Sequence, residues 1–151
     1  MEENQEFINE FLTTIFNEIL KIEQIVMAKA FPRLSVNEIH VISAVCETMR
    51  IGADNRATAV AKKLGITAGS LTTAVTNLER KGYLVRRHDE KDRRIVRIFP
   101  TESGKSAYRY HEKFHSDMVS HAIENLKENE RQVLVKALVN IETFFRTQYE
   151  V

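Results

Sequence analysis

Between Ala57 and Phe99 the spacing of apolar residues changes character, and that change constrains the fold more than any other feature of the chain. Ala57 to Leu64 and Ala68 to Lys81 carry apolar residues at intervals of three and four, the period of a helix packed on one face. Gly65-Ile66-Thr67 separates them. Gly65 suits the left-handed backbone that ends a helix, and the Thr67 hydroxyl can cap the next one. Beyond them, Leu84-Val85-Arg86-Arg87 and Ile95-Val96-Arg97-Ile98-Phe99 are β-branched or apolar segments flanking the polar Asp89-Glu90-Lys91-Asp92-Arg93. The pattern predicts two short helices joined by a tight turn, then a β-hairpin with a long charged tip.

The flanks are helical. Phe7, Phe11, Ile15, Ile19, Ile22 and Val26, with a second row at Ile8, Leu12, Phe16 and Leu20, predict one long helix that Phe31-Pro32 ends. Ser35 and Glu38 form a capping box opening a second helix through Met49, and Gly52-Ala53-Asp54-Asn55 breaks it. Thr101 caps a helix carrying Tyr108, Phe114, Met118, Ala122 and Leu126, and a last helix carries Val133 to Phe145. The expected class is mostly α with a small β-wing, in a single domain of residues 1–151. Residues 36–100 form its core, and residues 5–31 and 101–150 are helical arms. The arms' apolar stripes need a second surface, and a twofold copy of the same arms is the simplest one, so a homodimer through the N- and C-terminal helices is expected.

Composition excludes several classes. A chain of 151 residues is too short for a two-domain cofactor enzyme, and it contains no P-loop, GxGxxG, CxxC or nucleophile elbow. Neither enzymatic activity nor a cofactor is expected. No apolar run approaches the ~18 residues of a membrane span. The Met-Glu-Glu-Asn start lacks the basic-then-apolar order of a signal peptide, so a cytoplasmic location is expected. The single cysteine, Cys46, has no basic neighbour in sequence and reads as a buried structural thiol. The overall net charge of +1 hides an uneven distribution: residues 1–25 hold six Glu and one Lys, net −5, whereas residues 80–97 hold eight Lys and Arg against three acids, net +5.

In the helix from Ala68 to Lys81, Leu71, Val75 and Leu78 share a packing face, which turns Ser70, Thr72, Thr73, Thr76 and Asn77 outward. Gly69 and Ser70 allow a phosphate to come close to the helix start. A Ser/Thr-rich helix beside a basic hairpin is a matched pair of elements for double-stranded DNA, the first for the major groove and the second for the backbone beside it. Arg80 and Lys81 are placed to hold that backbone.

Leu78-Glu79-Arg80-Lys81-Gly82-Tyr83-Leu84, Asp89-Glu90-Lys91-Asp92-Arg93-Arg94 and Thr101-Glu102-Ser103-Gly104 together resemble the MarR family of winged helix-turn-helix transcription regulators. The resemblance implies a homodimer on a palindromic operator. It also implies a wing-tip arginine, Arg93 or Arg94, entering the minor groove with Asp92 orienting it. Arg87 is a further DNA-binding candidate, able to take that role in their place. Pro100 stands where the family has Leu, which bears on the last pairing of the second wing strand. Ile8 to Asn17, Leu71-Thr72-Thr73, Asn77 to Tyr83 and Phe114-His115 are similar to the FabT-like subgroup, repressors of fatty-acid synthesis genes in Firmicutes. That similarity implies acyl carrier protein with a long acyl chain as corepressor, the chain lying in a pocket that Phe11, Ile15, Ile19, Ile39, Ile42, Phe114 and Met118 can line or simply fill as core. The class alternative is a non-DNA dimer that carries acyl chains or metal.

His111-Glu112-Lys113-Phe114-His115 spells the H-E-x-x-H of zinc metalloproteases, but on an arm helix with no sheet around it. No metal is expected in the primary reading. The alternative effector is Zn²⁺, since Glu23, His40, His111 and His115 sit at positions similar to the ligands of zinc-responsive MarR repressors, and three His with one carboxylate suit that ion.

Overall fold

The structure, a computed structural model, describes residues 2–149 and divides into two compact units, Met1–Phe114 and His115–Val151. The first holds α1 (Glu3–Glu10), a π-helical segment (Phe11–Ile15), α2 (Phe16–Ala30), α3 (Val36–Arg50), α4 (Ala57–Leu64), α5 (Ala68–Arg80), β1 (Leu84–His88) and β2 (Val96–Pro100). Helix α6 (Glu102–Ile123) starts there and runs into the second unit, which α7 (Glu128–Tyr149) completes.

The helix ends are built as the sequence predicts. At α3 the Ser35 hydroxyl accepts from the Glu38 N–H at 3.2 Å while the Glu38 carboxylate accepts from the Ser35 N–H at 2.9 Å. Gly65 ends α4 at φ 65°, and the Thr67 hydroxyl accepts from the Ser70 N–H at 3.1 Å to open α5. At α6 the Thr101 hydroxyl accepts from the Gly104 N–H at 3.2 Å and donates to the Gly82 carbonyl at 2.7 Å. Gly104 is there because the helix start lies against the strand leading into β1, where a Cβ would stand 2.2 Å from the Tyr83 carbonyl oxygen.

Helices α2 to α6 and both strands send side chains into a single core, in which Met27, Ile39, Ile42, Val45, Val60, Leu71, Val75, Leu78, Leu84, Ile98 and Ala107 are fully buried. Leu71, Val75 and Leu78 are the whole buried face of α5, which leaves its opposite face to solvent. Burial of a large apolar side chain stabilises by ~1.5–3 kcal/mol, so these three fix the rotation of α5.

The two strands pair antiparallel with Leu84 opposite Pro100 and His88 opposite Val96. Pro100 therefore stays in the ladder. Its missing donor is replaced one residue on, where the Thr101 N–H bonds the Tyr83 carbonyl at 3.1 Å. The break after α3 does more than turn: Arg56 bridges Arg97, the Ile98 N–H bonds the Asn55 carbonyl at 3.0 Å, and the buried Asn55 amide donates to the Ile98 carbonyl at 3.2 Å. A minimal third strand thus anchors the wing.

The long N-terminal helix differs from the sequence expectation, being interrupted by the π-helical turn at Phe11–Ile15. Thr13 donates its hydroxyl to the Asn9 carbonyl at 2.8 Å, and the Asn17 amide donates to the Thr13 carbonyl at 3.0 Å. Side chains that compete for helix carbonyls in this way favour a local change of hydrogen-bond register.

In the second unit, the Arg131 guanidinium donates to the Ile123 carbonyl that ends α6 and to the Leu126 carbonyl beyond it, and Phe144, Phe145 and Tyr149 cluster edge-on and stacked on α7. No helix among the described residues is long and apolar enough to cross a membrane.

Candidate nucleic-acid interface

The exposed face of α5 carries Ser70, Thr72, Thr73 and Thr76, with Asn77 half-buried at its edge. The structure therefore brings together on one stripe the five residues expected to face bases. Each threonine hydroxyl donates to the carbonyl four residues back: Thr72 to Ala68 at 2.9 Å, Thr73 to Gly69 at 3.1 Å and Thr76 to Thr72 at 2.8 Å. The Arg80 guanidinium donates to the Asn77 side-chain oxygen at 3.3 Å. An open groove of about 590 Å³ runs beside this stripe, walled by Ser35, Glu38, Ser70, Thr73, Ala74 and Asn77. Gly69 has open space where a Cβ would be, its nearest neighbour being the Thr67 hydroxyl at 4.0 Å, so the fold itself does not demand a glycine.

Lys81, expected on the DNA backbone, is turned inward. Its ammonium lies 2.8 Å from both oxygens of Glu38. Burial would raise the Glu38 carboxyl, but the bonds from Lys81 and Ser35 outweigh it and hold the group below its ordinary value. The pair ties the end of α5 to the start of α3.

Arg86 is the functional residue that sequence reading missed. From β1 its guanidinium pairs with Glu79 at 3.0 Å, donates to the Thr72 carbonyl at 3.3 Å and hydrogen-bonds the Thr76 hydroxyl, while its backbone N–H donates to Glu79 at 3.2 Å. It locks the wing to the helix. The available signal was its place in the basic stretch; its partner Glu79, seven residues back, was not legible from spacing.

At the wing tip Asp89 accepts from the Lys91 and Asp92 N–H groups, and the His88 ring bonds the Arg93 carbonyl at 2.7 Å. Asp92 holds Arg94 in a fork, at 3.1 Å to Nε and 3.0 Å to Nη2, with the Arg94 side chain 91% exposed. The expectation that Asp92 orients a wing-tip arginine thus falls on Arg94. Arg94 in turn holds the Asp92 carboxyl below the usual range. Arg97 is structural, bonding Asp89 at 2.6 Å and Asn55 at 3.0 Å. Arg87 lies over the Phe99 ring at 5.3 Å, leaving its charge exposed. Among the described residues, Arg80, Arg87, Lys91 and Arg93 form no ion pair with a carboxylate.

Away from this face, one buried carboxylate oxygen, Glu23 Oε1, meets His111 Nε2 at 2.5 Å and His40 Nε2 at 3.3 Å, with the Ser43 hydroxyl 3.0 Å from His111 Nδ1. Burial would raise Glu23, and the bonds from His111 and His40 reverse it to a net lowering. His115 follows one turn later on α6. Of the candidate pocket residues, Ile39 and Ile42 are fully buried, Ile15, Ile19 and Phe114 half-buried, and Phe11 and Met118 exposed. Cys46 is buried, and burial pushes its thiol up to about 11, in keeping with a structural role.

A capped helix with a bare polar face, locked to a basic two-stranded wing, defines a winged helix-turn-helix DNA-binding protein. The chain is similar over its length to Streptococcus pneumoniae FabT, solved in complex with DNA, at 36% identity and a TM-score of 0.83, covering 95% of this chain and 99% of that one. Residues 52–96 match the MarR family model. The transcriptional repressor YetL of Bacillus subtilis is 31% identical over 81 residues, which is 54% of this chain; the chain spans about half the length of the curated relatives it matches, 48% in the case of YetL. Staphylococcus aureus MepR in its DNA complex shares the fold, with 20% identity and a TM-score of 0.68 over 89% of this chain and 96% of that one. The chain belongs to the MarR family, whose members are DNA-binding transcriptional regulators rather than enzymes.

Proposed function

We propose that the protein is a homodimeric repressor of fatty-acid biosynthesis genes that binds a palindromic operator and takes acyl carrier protein bearing a long acyl chain as corepressor. The observation that carries this reading is the 36% identity to FabT across 95% of the chain, with the polar face of α5 and the wing tip both open to solvent. In support of the dimer, Phe7, Ile8, Leu12, Phe16, Leu20 and Ile22 on the first helices and Val133, Val135, Leu138, Phe144 and Phe145 on α7 are exposed, a quantity of apolar surface that a lone chain in water does not retain. Ser70, Thr72, Thr73, Thr76 and Asn77 face bases, Arg80 and Arg87 hold phosphates, and Arg94, oriented by Asp92, enters the minor groove with Arg93 beside it. The acyl chain takes the space around Phe11, Ile15, Ile19 and Phe114. The domain is residues 1–151, with 36–100 as the DNA-binding core and 5–31 and 101–150 as the dimer arms.

The test is fluorescence anisotropy of a duplex from a fatty-acid-synthesis promoter, with metal-free protein alone, with palmitoyl-acyl carrier protein, and with Zn²⁺. Tightening by the acyl carrier protein alone supports the reading; no binding to any duplex, or indifference to the acyl carrier protein, removes it. Zn²⁺ is the second reading because Glu23 already gathers His40 and His111 around one oxygen, a donor set that suits the ion. Tightening by Zn²⁺ and reversal by a chelator would favour it.

A further inference from the structure

We propose that Thr72 and Thr73 recognise thymine through its C5 methyl group, so that α5 selects A·T pairs and rejects guanine at the positions these residues face; this rests on the DNA-binding reading above. A threonine hydroxyl has one hydrogen to give. A backbone carbonyl only accepts, so the bonds to the Ala68, Gly69 and Thr72 carbonyls consume the hydroxyl hydrogens of Thr72, Thr73 and Thr76. What each shows to the outside is a Cγ2 methyl and oxygen lone pairs. Thr76 is more restricted still, because its oxygen is also engaged by the Arg86 guanidinium.

Residues 72 and 76 are four apart and 73 and 76 three apart, so the three side chains form one continuous strip on the exposed face. The strip has methyls and acceptors but no donor. In the major groove guanine offers only the acceptors N7 and O6, which this strip cannot satisfy without breaking one of its internal bonds. An A·T pair offers the complement of both properties: the thymine methyl packs on Cγ2, and the adenine N6 amino group donates to the threonine oxygen. Cytosine offers a donor without the methyl. Discrimination at these positions is therefore carried by carbon, and the donors Ser70 and Asn77 at either side of the strip read their neighbours separately.

The experiment starts from a random-sequence duplex pool selected with the full-length protein. The enriched duplex is resynthesised with deoxyuridine replacing each thymidine in turn, which deletes one methyl at a time. Binding by wild type, Thr72→Ser, Thr72→Val, Thr73→Ser and Thr73→Val is then compared. Serine keeps the hydroxyl and loses the methyl; valine does the reverse. For wild type and the valine variants, uracil at the contacted positions is expected to weaken binding by about three- to five-fold. In the serine variants that loss should vanish. Equal wild-type binding to thymine and uracil duplexes, or a preference kept by serine and lost by valine, overturns the proposal. Failure to enrich any duplex overturns the DNA-binding reading along with it.

Discussion

The Lys81 ammonium bridges both carboxylate oxygens of Glu38 at 2.8 Å, tying the C-terminal end of the DNA-facing helix to the capping box of α3 across 43 residues of sequence. Glu38 is held below its ordinary value of 4.5 in the fold, so its contribution is fully present above that value and is lost as pH falls through the lowered one. Glu38→Gln keeps the capping box, since Gln can replace Glu there, and removes the charge pair. It should lower stability by ~1–2 kcal/mol near neutral pH. Denaturant unfolding should show the variant losing less stability than wild type between pH 6 and pH 3; identical pH profiles would contradict the pairing.

Arg94→Ala should weaken duplex binding by ~1–3 kcal/mol while leaving thermal unfolding unchanged, because the side chain is exposed and its ion pair is with Asp92, two residues away. Asp92→Ala should reproduce part of that loss by releasing the arginine from its fork. An unaffected affinity on titration would move the wing contact to Arg93.

Gly104→Ala should destabilise the first unit by ~1–3 kcal/mol or more, since the new methyl meets a backbone oxygen and not a side chain that can swing away. Circular-dichroism melts measure it. A neutral result would mean that α6 can shift from the strand leading into β1 at little cost.

Gly69→Ala is predicted to do the opposite to the fold. With open space at its Cβ and helical backbone, alanine should stabilise α5 by ~0.5–1 kcal/mol. Duplex affinity should nonetheless fall, because the helix start can no longer come as close to a phosphate. Gains in both stability and affinity would deny Gly69 any role at the interface.

Four cations of the basic stretch, Arg80, Arg87, Lys91 and Arg93, carry no ion pair with a carboxylate among the described residues, up to eight per dimer. With six to eight phosphates neutralised, log affinity against log salt concentration should fall with a slope of about −5 to −7. A flat response in an anisotropy series would remove the electrostatic part of the interface.

The helical caps were legible because each is a local device: Ser35 with Glu38, Gly65, Thr67 and Thr101 act within four residues of their targets. The face of α5 was legible for the same reason, since Leu71, Val75 and Leu78 fix the rotation that exposes the threonines. The π-helical turn was hidden, because two parallel apolar rows keep spacings of three and four whether or not one turn is widened. The partners of Arg86 and Lys81 were hidden from charge counting, which registers a cation without registering the carboxylate that the fold brings to it. Asn55 read as part of a break, and Arg56 drew no reading, because a single-bridge strand has no periodicity to display.

The carboxylates that hold Lys81, Arg86, Arg94 and Arg97 have a kinetic consequence. Half of the positive charge in residues 80–97 arrives with its own counter-ion, so the surface that meets DNA attracts phosphate less than its arginine and lysine content suggests. On arbitrary duplex such a protein has short residence times and returns quickly to solution. In the proposed reading, long residence comes where groove width and the bases beneath α5 suit Arg94 as Asp92 already presents it. Search speed and occupancy are in this way set by the same acidic side chains.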